Sequence, residues 1–524
     1  MIHIRHSIVL LLFIAFAFLF CFALLFSFPP DQDKPVSPVE TITAESIRHH
    51  VYFLASDALE GRYTGSKGYQ IAAQYGESQF RAAGLKPIVR QGDQFAYLQP
   101  VPVVRRASKA EPEFVVRTPK GETKFLHAKD FRWLDGEILS CENKPLPVVF
   151  VGFGIHEPAA GWDDFKGLEV KNKVMIMLQG APMKNGKPVL PEALHKKYAS
   201  ESSWQVKLPA MFEMPAAGIL VPASESMLKA WDQIPMQTNA PQISLNDRNA
   251  DAWNILSIFA AKPEIVQALL AGQKQALPKP NAKDTSKVKG FDLNGVTLFL
   301  TTSFQDEEVP TWNVVGLVEG TDPVLKNEYI AVSAHLDHLS PRKDEIMNGA
   351  DDNASGCAGL MEVAEAVAQK PFKRSVVFVL FAGEEKMVLG SRYFISACPV
   401  ARDKIIADIN LDMIGRTDKE SEADRALYAL DADNVRPEFK KLIMEVNDRT
   451  IRWPLKYDRQ PKAGSDNLVF NIMNKTPGVF FWSGPHVDYH RSTDDADKID
   501  YEKAEKISRL GYELTKELAS GAGF

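Results

Sequence analysis

Four short apolar runs alternate with helical segments in the C-terminal half of this chain: EYIAVSA (328–334), SVVFVLFA (375–382), KIIADINL (404–411) and PGVFFW (477–482). Strands that are apolar on both faces must be covered on both, and alternating helices supply that cover. The pattern predicts a three-layer α/β/α sandwich around a mostly parallel sheet. ASGCAGLMEVAEAVAQ (354–369), with apolar residues three and four apart, is the expected helix between the first two strands.

Upstream the texture differs. Helical spacing begins after Thr43 and recurs over 69–85, where Gly84 stops it. Short β-like runs come next, at 145–155, 173–180 and 216–224, and 272–290 is a polar, Lys-rich connector. A chain of 524 residues predicts two to four units. The expected division is 1–28, a linker at 29–42, a first part of the main domain at 43–137, a β-rich insert at 138–292, and the rest of the main domain at 293–524. Residues 8–28 carry no charge over 21 positions, a length that spans a hydrocarbon core. They read as an uncleaved signal anchor, with a removed signal peptide as the alternative; either way the remainder is expected to be exported, touching a membrane only through this segment. Lys+Arg 61 against Asp+Glu 67 leaves a formal charge of −6, so no basic surplus is available for a nucleic acid partner.

The residues just past each predicted strand limit the chemistry. His335, Asp337 and His338 come after the first; Asp351 and Asp352 lie on the approach to the helix; Glu384 and Glu385 come after the second strand, Asp412 after the third, and Tyr489 and His490 after the fourth. Ligands bind beyond the carboxyl ends of such strands. Carboxylates converging there repel one another unless a cation neutralises them. The four cysteines, at 21, 141, 357 and 398, are too few and scattered for thiolate ligation. His, Asp and Glu ligands suit zinc, with manganese or cobalt as alternatives. Two ions can be served by His335 with Asp412 and by Glu385 with His490, sharing Asp352; Glu384 is then free to act as general base on a bridging water. His338, His486 and Cys357 read as structural, Asp351 as a charge at a helix N-terminus. Asp494 and Asp495 either steady His490 or cap the next segment. Gly349 and Gly356 serve backbone geometry around Asp352.

The pieces AHLDH (334–338), NGADDNASG (348–356), FAGEE (381–385), NLDMIG (410–415) and YHRSTDD (489–495) together resemble the M28 family of zinc aminopeptidases. FLASDALEGRYTGSKGY and FRAAGLKP (53–87) are similar to the N-terminal region of these enzymes, and 147–178 is similar to a protease-associated domain inserted into them. The resemblance implies His335, Asp352, Glu385, Asp412 and His490 as ligands of two zinc ions, Asp352 bridging, and Glu384 as base. It implies Asp337 as the carboxylate orienting His335, a cis peptide near Asp352, and Tyr489 as a donor to the oxyanion. Asn467 stands where relatives often carry His. The activity so implied is removal of N-terminal residues from peptides. Its rivals are a carboxypeptidase or dipeptidase, whose carboxylate clamp would be Arg416, Arg459 or Arg491, and a non-catalytic receptor ectodomain.

Overall fold

The computed structural model describes residues 36–521 apart from 136–142, 200–205, 208–210, 212–213, 215, 235–241, 247–255, 279–281, 343–344, 417–426, 434 and 458–463. The apolar run at 8–28 and Arg459 lie outside the described residues, and among those described no helix is long and apolar enough to cross a membrane. Helix α1 (Ala44–Leu54) is capped by Thr43, whose side chain accepts from the Ser46 amide, and α2 (Lys67–Ala82) is capped by Ser66 in the same way. The main sheet is built from β1 (Leu98–Pro100), β2 (Trp312–Val318), β3 (Tyr329–His335), β4 (Ser375–Phe381), β5 (Ile405–Leu411), β6 (Leu427–Leu430), β7 (Leu455–Lys456) and β8 (Gly478–Trp482). Their spatial order is β7-β6-β8-β5-β3-β4-β2-β1. β8, β5, β3 and β4 run parallel as the apolar runs predict, and antiparallel strands complete both sides.

Side chains leave a strand on alternate faces, and β4 divides its residues accordingly. Val376, Phe378 and Leu380 join a core with α1, α2, α3 (Gly356–Gln369), α5 (Pro437–Arg449) and α6 (Tyr501–Ala519). Val377, Val379 and Phe381 pack on the other face against α4 (Leu389–Ser396) and Phe470. All seven residues of β4 are buried, at about 1.5–3 kcal/mol for each large apolar side chain. The α/β/α sandwich is the result.

The insert sits at the tip of one long hairpin. β1 pairs with β2 through Pro100 opposite Trp312, the Val101 amide donates to the Thr311 carbonyl, and pairing continues from Val103 opposite Val309 to Ser108 opposite Phe304. Beyond that neck lies a second eight-stranded sheet, in the order 121–126, 113–118, 291–301, 146–150, 174–176, 218–222, 257–261, 131–135. The expected limits of the insert, 138–292, therefore cut through this sheet, which takes in three strands before 138 and nearly all of Phe291–Thr301. Strands such as GETKFL, exposed except at Phe125, have too few apolar positions to mark a domain edge.

Two buried charges on this insert set its pH response. Lys207 donates to the Leu178 and Gly180 carbonyls, and burial, opposed by Asp164, lowers it to about 7. Asp164 accepts from the Phe153 and Ile155 amides and the Trp162 indole, yet burial raises it to about 6. A raised carboxyl contributes stability below its unfolded value that is lost as pH rises through 6; a depressed amine contributes stability above its unfolded value that is lost as pH falls through 7. The insert should melt at its lowest temperature between about pH 6 and 7 and gain stability on both sides. Tryptophan-monitored melting across about pH 4 to 10 checks this; a single maximum near neutrality would refute it.

Candidate metal centre

The C-terminal edge of the parallel strands gathers the residues the sequence singles out. His335 is the last residue of β3, and Asp412 comes directly after β5. Glu384 and Glu385 occupy a 3-10 turn after β4, bounded by left-handed Gly383 before it and Met387 and Val388 after it. A β-branched residue at positive φ is strained, and here the turn is pinned by the Leu389 amide donating to Gly383 and the Gly390 amide to Ala382. Asp352 lies in a π-helical turn, Ala350–Ser355, ahead of α3, and its peptide bond to Asn353 is cis.

That turn is sewn to the end of β5. Asn353 accepts from the Met413 and Gly356 amides and donates to the Leu411 carbonyl; Ser355 accepts from Ile414; Asp351 accepts from Gly415 at 2.7 Å. Asp351 is thus a loop tie, reaching His486 at 3.3 Å, rather than only a charge at a helix end. Asp494, buried, takes the amides of both Asp351 and Asp352 and so fixes the backbone of Asp352, not the ring of His490. A Cβ on Gly356 would stand 2.2 Å from the Leu411 carbonyl oxygen, which is why that position must be glycine.

The donors form two groups that share Asp352. His335 Nε2 lies 3.3 Å from Asp352 Oδ1 and 3.2 Å from Asp412 Oδ1. On the other side, His490 Nε2 is 3.1 Å from Asp352 Oδ2 and 3.3 Å from Glu385 Oε1. His338, read from sequence as structural, enters this second group: its Nδ1 is 2.9 Å from Glu385 Oε1 and 3.7 Å from Asp352 Oδ2. The His-x-x-His spacing in HLDH was the available signal. Two donor sets, His335/Asp352/Asp412 and His338/Asp352/Glu385, are each close enough to hold an ion. Mixed imidazole and carboxylate donors without sulfur suit zinc, manganese or cobalt.

Asp337 is placed differently from the expectation. Its carboxylate is 3.9 Å from His335 Nδ1, which instead faces the Asp337 backbone oxygen at 3.1 Å. The carboxylate accepts from Thr64 Oγ1 and the Glu384 amide, so it locates Glu384. Tyr489 stacks on His490 with ring centroids 3.8 Å apart. Asn467 is buried behind the site, 3.3 Å from Asp431.

A cavity of about 40 Å³ is lined by Asp352, Glu384, Glu385 and Asp412, by His335 and His490, and by Met413, Phe480, Trp482 and Tyr489; no Lys or Arg lines it among the described residues. Burial, then the Asp412 and Glu385 charges, raises Glu384 well above the carboxylate range. Burial opposes the charged forms of His335 and His490, but the adjoining carboxylates outweigh it, raising His335 and taking His490 to about 10. Protons and a dication would compete for these donors. Tyr489 is raised by burial and by the same carboxylates, which keeps its hydroxyl a donor.

The parallel sheet thus brings two imidazole–carboxylate sets together at its C-terminal edge. Residues 313–515 match the model of peptidase family M28. Leupeptin-inactivating enzyme 1 of Streptomyces exfoliatus is 26% identical over 212 residues, 40% of this chain and 45% of that protein. Aminopeptidase YwaD of Bacillus subtilis (strain 168) is 24% identical over 211 residues, 38% and 42% of the two chains. The chain spans less than half the length of these curated relatives. Among solved structures, an aminopeptidase from Aneurinibacillus sp. strain AM-1 superposes over 92% of this chain and 95% of its own, at 17% identity and a TM-score of 0.47.

Proposed function

We propose that this chain is an exported aminopeptidase using two zinc ions, one held by His335 and Asp412, the other by Glu385 and His490, with Asp352 between them. The observation that carries this reading is the division of Asp352: one carboxylate oxygen faces each donor group. Bound zinc supplies Lewis acidity toward the scissile carbonyl and the attacking water. Glu384 belongs to neither group, so it takes the proton from the water and returns it to the leaving amine. The Tyr489 hydroxyl donates to the oxyanion. Glu384 and Asp412 receive the substrate's ammonium in a cavity lined by four carboxylates. Relatives named as aminopeptidases, YwaD among them, support the same assignment.

The carboxypeptidase alternative finds little support. Arg416 is engaged by Asp488 at 2.8 Å, and Arg491 is exposed. An aminoacyl-nitroanilide and its N-acetyl counterpart separate the readings. Blocking the amine removes one charge-assisted hydrogen bond set, so kcat/KM should fall by roughly 10- to 100-fold. Equal turnover of the two would rule out an aminopeptidase, and zinc binding without any turnover would favour the receptor. Export through residues 8–28 is tested by cell fractionation, with the chain expected outside the cytoplasm.

A further inference from the structure

The M28-matched segment begins at 313, yet a residue far upstream is buried against the metal centre. Arg62 is 1% exposed and, among the described residues, faces no carboxylate within salt-bridge distance; its guanidinium is consumed by four backbone carbonyls. Nε donates to Leu336 at 3.0 Å, Nη1 to Leu54 at 2.5 Å and to Asn348 at 2.6 Å, and Nη2 to Gly349 at 3.0 Å. Leu336 comes directly after His335, and Asn348 and Gly349 lead into the turn that carries Asp352. One planar fork therefore spans the end of α1, the end of β3 and the Asp352 loop. A guanidinium has five donors in fixed geometry, so it ties three segments where an ammonium would act as a point.

The backbone is bent to deliver it. Glu60, Gly61 and Arg62 are all left-handed, with φ of 47°, 79° and 54°. Gly61 presses so closely that a Cβ there would meet the Leu339 carbonyl oxygen at 2.4 Å and the Met347 oxygen at 2.7 Å. Left-handed non-glycine residues cost free energy and persist where surroundings over-determine them. The adjoining residues continue the contact: the Arg62 carbonyl accepts from the His338 amide, Tyr63 bridges to His338, and Thr64 Oγ1 donates to Asp337 Oδ2 at 2.9 Å. Asn348 is tied from the same upstream segment, donating to Asp57 at 2.9 Å.

We propose that Arg62, seconded by Thr64, is a positioning residue for the metal centre: it fixes the spacing between His335 and Asp352 by holding the backbone on both sides, so the segment after α1 sets metal affinity. The inference rests on the metallopeptidase reading and extends it to a segment outside the matched domain. Arg62 touches neither substrate nor ions and acts through backbone it holds in place.

The test uses the full chain. Zinc affinity is measured against a chelating indicator, and cobalt-loaded protein is followed by its visible absorption. Loss of an outer partner of metal ligands typically costs roughly 10- to 100-fold in affinity. Arg62→Met should weaken zinc by about that factor and change the cobalt spectrum, with Arg62→Lys restoring part of both. Should Arg62→Met fail to fold, Arg62→Lys and Thr64→Val, which removes one hydroxyl, carry the test; each should still weaken zinc measurably. Wild-type affinity and an unchanged cobalt spectrum in every folded variant would overturn the proposal alone. Absence of zinc binding by the wild type would overturn the metallopeptidase reading together with it.

Discussion

Glu384→Gln should lower kcat by roughly 10²- to 10⁴-fold while leaving zinc content unchanged. Gln keeps the shape and the hydrogen bond that the backbone N–H of residue 384 donates to Asp337, but it cannot act as a base. Because Glu384 stands outside both donor groups, the ions lose no ligand, while the loss of its charge from the ammonium contact should also raise KM. The stability effect should have the opposite sign. Burial and the neighbouring carboxylates raise Glu384, so its charged form costs free energy at neutral pH and the amide variant should melt no lower than the wild type. Kinetics, metal analysis and melting on one preparation check all three. Full activity in the variant would eliminate Glu384 as the base; loss of zinc would make it a ligand instead.

Asp352→Asn should be the more damaging change to the metal centre. The carboxylate lies within 3.7 Å of three histidines, His335, His338 and His490, and an amide can offer only one oxygen, turning donor hydrogens toward the other group. Bound zinc should fall from two ions to one or none, and affinity should drop by more than the roughly 10- to 100-fold cost of altering an outer partner. Hydrolysis should fall with it. Two ions still bound in the variant would defeat the bridging assignment, whatever happened to the activity.

The parallel strands and the residues at their ends were legible because each strand is apolar on both faces and each is succeeded at once by His, Asp or Glu. Periodicity and chemistry point to the same edge, so β3, β4, β5 and β8 begin and end within a residue or so of the runs at 328–334, 375–382, 404–411 and 477–482. His338 was harder, because three residues after His335 it lies past the strand, where only the loop's path decides which way a ring faces. Asp337 illustrates the same point: the family resemblance implies a carboxylate that orients His335, but the chain turns so that the backbone oxygen takes that place and the carboxylate serves Glu384. Arg62 lies within FLASDALEGRYTGSKGY, but nothing in that stretch marked it for a role at the metal centre. A buried guanidinium satisfied wholly by carbonyls shows in a sequence only as one more basic residue. The limits of the insert were obscured for another reason: its outer strands expose most of their residues, and its first and last strands continue a hairpin that begins in the main sheet.

That hairpin has a consequence for how the chain can vary. Since the polypeptide leaves the neck of this hairpin at Ser108 and re-enters it at Phe304, the distance to be spanned is that between two paired strands. A tight turn of about two to five residues could close it. The intervening block hangs from one hairpin of the main sheet, with Gln242–Leu245 folded back to pair along Val103–Arg106, so exchanging it would bare that neck strand while leaving the order of the main sheet as it is.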